Sequence, residues 1–240
     1  MDPTYAERYR DLARRHWWWR ARNAWVRDQI QRLLDGRNDA RTLDIGCGDG
    51  VLFPLLDRYG FVEGVEPDAT VVSPDGPWRH RIHLQPFDRS FQSEGRYDLI
   101  VLLDVLEHLA DPREALTHAH ALLAPGGRII VTLPAFHMLW THHDDLNHHR
   151  ERFTRQRLGD VASGAGLHLE ASGYLFQWLF MAKLVERLRE RVFGPAPAPT
   201  VPTAALNGLL YALSIVERKV LGLSMPFGSS LVGVLKARAT

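Results

Sequence analysis

The run Asp44-Ile45-Gly46-Cys47-Gly48-Asp49-Gly50 places three alternating glycines behind an acid at the end of a short apolar stretch. Glycines so spaced let the backbone pass close beneath a ligand and turn without a Cβ clash. The pattern is Gly-x-Gly-x-Gly. It differs from the Gly-x-Gly-x-x-Gly of dinucleotide sites and lacks the Gly-Lys-Ser/Thr ending of a phosphate loop. Glu66 closes a second apolar run sixteen residues after Gly50, where a carboxylate can accept hydrogen bonds from both hydroxyls of a ribose. Loop and acid together ask for a ligand that carries adenosine. A second concentration of chemistry lies at 137–149, where His137, His142, His143, His148 and His149 stand beside Asp144 and Asp145. A His–Asp pair can take a proton from an acceptor, with the carboxylate fixing the imidazole tautomer. The same residue types can ligate a divalent cation, or serve only as hydrogen-bond partners within a loop. His143 and His148, with Asp144, are the first candidates for a base, and no metal is assigned.

The elements that must position these groups follow from the pattern of apolar residues. Residues 41–47 read as a strand ending in the glycine turn, 51–59 as a helix, and 61–67 as a second strand. A weaker third strand falls at 81–85, and 97–103 is a strong fourth, apolar on both faces. Pro112 opens a helix that runs to 123, and 127–133 is a fifth strand. Thr154 is placed to cap a helix reaching 166, followed by a sixth strand at 167–175 and a last one at 229–236. Strands alternating with helices imply an α/β fold, doubly wound, with a mostly parallel sheet. Ahead of it, residues 1–37 carry Trp17, Trp18, Trp19 and Trp25 on amphipathic helical spacing. Ligands in such sheets sit beyond the carboxyl ends of the strands, so the histidine-rich segment leaving strand five is expected to border an acceptor pocket.

Four motifs in order resemble those of the class I methyltransferases that use S-adenosylmethionine. They are Leu43-Asp-Ile-Gly-Cys-Gly-Asp-Gly50, Gly64-Val-Glu66-Pro-Asp68, Tyr97-Asp-Leu-Ile with Val105-Leu-Glu-His-Leu-Ala-Asp-Pro112, and Leu123-Ala-Pro-Gly-Gly-Arg-Ile129. The wider chain is similar to a bacterial subgroup marked by His-Trp-Trp-x-Arg-x-Arg, His-Asp-x-x-Asn-His-His-Arg and Pro-Phe-Gly-x-Ser, here at 16–22, 143–150 and 226–230. That subgroup is itself similar to quinone and natural-product methyltransferases. The resemblance implies a seven-stranded Rossmann-like sheet and S-adenosylmethionine as cofactor. It places Asp44, Gly46, Cys47, Gly48 and Gly50 at the methionine end of the cofactor and Glu66 at its ribose. Phe87 and Asp88 would meet the adenine, and Asp104 and Val105 would line the site after strand four. In the same reading residues 1–37 form a lid, with Trp19 over the cofactor and Arg22 or Arg20 pairing with its carboxylate.

Methyl transfer from a sulfonium is an in-line displacement, so donor methyl and nucleophile must be held near 3–3.5 Å with water excluded. The expected reaction is O-methylation of a small-molecule or lipid-linked acceptor. The other reading is an S-adenosylmethionine-binding partner or scaffold without turnover. The methyltransferase domain spans 38–240 and contains a helical insertion at about 176–228, where the resemblance implies only a short hairpin. Its two helices, joined by a proline-rich linker at 194–202, carry apolar faces beside basic residues. Over 176–223 such faces suit a pocket cover, a dimer contact or peripheral contact with a membrane. The chain of 240 residues, 45% hydrophobic and 24% charged, is ordinary for a globular protein. Its 29 basic and 28 acidic side chains nearly cancel, so nucleic acid is not expected as a partner. The single cysteine and the polar first residues point to a cytoplasmic protein, expected as a monomer or homodimer, with peripheral contact at the inner face of the membrane as one use of the insertion.

Overall fold

The computed structural model describes residues 11–194 and 200–238. Residues 1–10 of the expected lid and most of the proline-rich linker therefore lie outside the described residues. Seven strands form one sheet: β1 (Ala40–Ile45), β2 (Gly60–Val65), β3 (Ile82–His83), β4 (Tyr97–Leu103), β5 (Leu123–Pro134), β6 (Leu167–Leu175) and β7 (Ser230–Ala237). Their order is β3-β2-β1-β4-β5-β7-β6; the pairs from β3 through to β5 are parallel, while β7 runs antiparallel to both β5 and β6. The doubly wound, mostly parallel sheet expected from the sequence is the sheet found. Chain order reverses between β1 and β4, which opens a crevice beyond their carboxyl ends, the usual ligand site of such sheets.

β4 shows how one strand feeds two cores. Ile100 and Leu102 point to one face, where they meet Ala115, Leu116 and Ala119 of α3 (Pro112–Leu122) and Leu158, Val161 and Ala162 of α5 (Arg155–Gly164). Leu99 and Val101 point to the other, against Trp25, Val26 and Ile30 of α1 (Trp17–Leu34). The N-terminal helix is thus one side of the main core as well as a neighbour of the glycine loop.

The helix expected at 51–59 is reduced to one turn, α2 (Phe53–Leu56), followed by a 3₁₀ turn at Asp57–Tyr59. Pro54 sits in its first turn and Gly60 follows at φ 139°, so the chain has no room to extend the helix before β2 begins. The third strand shrinks to two residues for a related reason: 3₁₀ turns at Ala69–Val71 and Arg79–Arg81 occupy the crossover, where a longer helix would set the strand deeper. A short helix, α4 (His142–Leu146), lies in the histidine-rich segment. Thr154 caps α5 as expected, accepting from the Arg157 N–H.

The insertion forms α6 (Gln177–Phe193) and α7 (Ala204–Leu221). α7 locks onto α1 at several points. Asn207 accepts from the Trp17 N–H at 2.8 Å and donates to the Arg15 carbonyl at 2.8 Å, Arg20 lies over the Tyr211 ring, and Arg218 pairs with Asp28. Trp17 meets Phe176 and Trp178 with ring centroids 5.9 and 5.3 Å away. Trp25→Ala, which empties the centre of this packing, is expected to lower stability by about 3–5 kcal/mol. Urea unfolding followed by tryptophan fluorescence measures it, and a loss under 1 kcal/mol would show that α1 is peripheral.

Candidate active site

Two cavities open at the carboxyl edge of the sheet. The smaller, about 60 Å³, lies between α1 and the glycine loop and is bordered by Trp19, Arg22, Asn23, Asp44, Gly46, Cys47 and Gly48. The larger, about 340 Å³, lies under the histidine-rich segment and is bordered by Trp17, Trp18, Asp104, Glu107, His108, His143, His149 and the inner side of α6. Trp19 belongs to the wall of both.

The glycine loop is shaped by two close approaches. Gly46 has φ 71°, and a Cβ there would stand 2.6 Å from a methyl of Val105, so only glycine fits between β1 and the turn after β4. Gly48 has φ 54° and open space where a Cβ would point. Glu66 reaches back across β2: one carboxylate oxygen accepts the Gly48 N–H at 3.0 Å and the other the Asp68 N–H at 2.9 Å. Burial raises its pKa against the pull of these two bonds. Asp44 is buried at the end of β1, and burial lifts its carboxyl to about 7 although the Arg22 guanidinium pulls the other way. Arg22 itself forms an ion pair with Asp104, which also accepts from the Thr132 hydroxyl at 3.0 Å. Gly50 lies at the end of the loop, where its carbonyl accepts the Phe53 N–H.

Phe87 and Asp88 are not brought to either cavity. Phe87 packs against the rings of Phe91 and His118, and the exposed Asp88 accepts the Ser90 N–H at 2.8 Å in a local turn.

The histidine-rich segment sorts itself by burial. His143 lies on the wall of the larger cavity, and burial lowers its pKa to about 4. His148 is exposed, at φ 55°, and lies outside both cavity walls. Asp144 is fully buried. By itself burial would raise its pKa, but the His149 ring at 2.8 Å and the Arg152 guanidinium at 2.8 and 3.0 Å hold it well below the usual carboxylate range. Asp144 is thus the holder of His149, and His149 faces the cavity in company with His108, the two rings 4.8 Å apart. Glu107, fully buried on the same wall, is the residue that spacing did not single out, although it sits in the quoted run after β4. The signal in the sequence is the adjacent Glu107-His108 pair set between apolar residues in Val105-Leu106-Glu107-His108-Leu109.

A methyltransferase-domain family matches residues 18–172, which is more than half of the chain and takes in the glycine loop, Glu66 and the Glu107–His149 wall. The chain belongs to that family. Among curated relatives, an enzyme called ubiquinone biosynthesis O-methyltransferase from Caulobacter sp. is 28% identical over 162 residues, covering 55% of this chain and 62% of that one. Its namesake from Xylella fastidiosa is 29% identical over 192 residues, covering 69% and 76%. The chain therefore spans about three fifths of the length of the first relative it matches. A solved TehB-like SAM-dependent methyltransferase from Corynebacterium glutamicum superposes with TM-score 0.55 at 19% identity, covering 99% of this chain and 100% of its own, which is a likeness of fold.

The raised pKa of Asp44 has a measurable sign for this methyltransferase-family chain. Below the carboxyl's unfolded value the group is protonated in both states; above about 7 it is ionised in both and its burial works against folding. Asp44→Asn is therefore expected to raise the urea midpoint at pH 8 and leave it nearly unchanged at pH 3. Equal midpoints at both values would mean that the carboxylate is compensated.

Proposed function

We propose that the protein transfers a methyl group from S-adenosylmethionine to an oxygen of a small or lipid-linked acceptor. The carrying observation is that the two cavities adjoin at Trp19: a glycine loop tied to Glu66 on one side, and a larger pocket lined by histidines on the other. The cofactor's methionine end would lie by Asp44, Gly46, Cys47 and Gly48, with Arg22 and Asp104 facing it across the loop, and Glu66 would exchange its loop bonds for the ribose hydroxyls. Ligand pockets usually measure about 300–1,000 Å³. The 60 Å³ beside the glycines must therefore widen, and the half-buried Trp19 side chain on its wall is the group that would turn aside.

In the transfer the sulfur–carbon bond breaks as the oxygen–carbon bond forms, and the sulfonium leaves as a neutral thioether. The protein's work is to align the two and to keep water out. A hydroxyl acceptor must also lose a proton. His143, kept neutral by burial on the cavity wall, is placed to receive it, while Asp144 acts at one remove by holding His149.

The lipid-linked class is favoured by an inversion in the insertion. Leu179, Lys183, Glu186 and Glu190 turn one side of α6 to the cavity, while Met181, Val185, Leu188 and Val192, between 59 and 71% exposed, form an apolar stripe on the outside. On α7, Leu206, Leu209, Leu213, Val216 and Val220 do the same behind the residues that grip α1. Arg189, Arg191 and Lys219 stand beside these stripes. Apolar residues flanked by cations suit the surface of an anionic bilayer. No helix among the described residues is long and apolar enough to cross one.

Titration calorimetry with S-adenosylmethionine is expected to give micromolar binding, abolished in Gly48→Val, whose branched side chain would fill the open space above the loop. With an acceptor present, S-adenosylhomocysteine should accumulate, and His143→Ala should slow it by about 10²-fold or more without changing cofactor affinity. Cofactor binding without turnover on any catechol, phenol or quinol-type acceptor would favour the scaffold reading. Phosphatidylglycerol vesicles should co-sediment the protein and release it when Leu188 and Val192 are both changed to Asp. A dimer in light scattering with no vesicle binding would assign the stripes to a second copy.

A further inference from the structure

Glu107 has no hydrogen-bond partner for either carboxylate oxygen, although the side chain is fully buried on the wall of the larger cavity. A buried polar group left unmade costs about 1–3 kcal/mol, and more when it is charged. Two guanidiniums are near, but their hydrogen bonds are spent elsewhere: Arg22 on Asp104 and Asn23, Arg152 on Asp144 and the Ala135 carbonyl. What faces Glu107 is a pair of imidazoles. One ligand atom from each of Glu107, His108 and His149 lies within 4.8 Å of the others.

The two rings are prepared for more than packing. His149 presents Nδ1 to Asp144, so its Nε2 is the nitrogen left for the cavity. Asp144 is itself fixed by Arg152, which makes a carboxylate–histidine relay of the kind that orients metal ligands. The His108 ring is anchored to the backbone of Asn147. The Arg150 N–H donates to the Glu107 carbonyl at 2.7 Å, which ties the segment carrying His149 to the turn carrying the other two.

We propose that Glu107, His108 and His149 bind a divalent first-row transition cation, such as zinc or manganese, with its remaining positions open to the cavity. Two imidazoles and one carboxylate are a donor set for such ions, whereas calcium and magnesium prefer oxygen ligands throughout. The set leaves the cation one net positive charge, and that charge satisfies the carboxylate which the protein alone leaves without a partner. For its use the proposal rests on the methyl-transfer reading: an acceptor hydroxyl bound at an open position becomes a stronger acid and gives up its proton more readily.

Untagged protein stripped with EDTA is titrated with zinc chloride by calorimetry and with cobalt(II) by visible absorption. One equivalent of each is expected to bind at micromolar or tighter affinity, with cobalt d–d bands. Glu107→Gln and His149→Ala should each weaken zinc by tenfold or more. Asp144→Asn, acting only through His149, should weaken it by about tenfold. His80→Ala, on an exposed surface away from the cluster, is the control and should change nothing. Glu107→Gln keeps the shape of the side chain but cannot ionise to ligate a cation, so it remains informative if His149→Ala does not fold. Absence of saturable binding, or binding indifferent to Glu107→Gln and His149→Ala, overturns the site. S-adenosylmethionine titrated into the same samples separates the two readings: cofactor binding without zinc removes only the metal, and zinc binding without cofactor removes the methyl-transfer reading and leaves the metal site standing.

Discussion

A single buried guanidinium holds the working edge of this sheet together. The ends of β1 and β4 bring Asp44 and Asp104 into one crevice, with Glu66 and Glu107 close by, and so many acids at low dielectric would repel one another. Arg22 enters from α1, pairs with Asp104 and partly offsets the burial that raises the pKa of both Asp44 and Glu107. Its position depends on α1 packing its tryptophans into the core, and α1 in turn is held from behind by Asn207 and Arg218 of the insertion. The electrostatics of the crevice thus rest on two segments that lie outside the alternating α/β pattern. On the opposite side Arg152 does similar work for Asp144.

The parts of the fold legible in sequence were those whose physics is local. β4 falls on the expected residues because a strand buried on both faces is written as a nearly unbroken apolar run, and Thr154 caps its helix because a hydroxyl before a helical pattern has one obvious use. α2 was over-extended because periodicity counted apolar residues past Pro54, and only the close approach of Gly60 to β1 decides where the helix must stop. The insertion helices were found, but not their grip on α1, since Asn207 meets Trp17 across 190 positions of sequence and nothing in either neighbourhood announces the other.

For the site the division is sharper. Asp44, Gly46, Cys47 and Gly48 stand together on one cavity wall as their spacing suggested. Spacing could not say which histidine faces inward, because 143, 148 and 149 are sorted by the positive φ at His148 and by the capture of His149 by Asp144. Nor could it reveal Glu107, whose interest comes from lacking a partner, which is a property of three-dimensional surroundings alone.

Trp19 is the feature with the widest reach, because the same indole forms part of two walls. Two chambers with a shared partition cannot be filled independently: a guest that pushes the indole aside in one alters the room left in the other. Linkage then makes the influence mutual, so whatever affinity the first occupant lends the second must be returned in equal measure. The coupling between the two occupants is then carried by one side chain on a helix that lies outside the alternating strands and helices of the sheet.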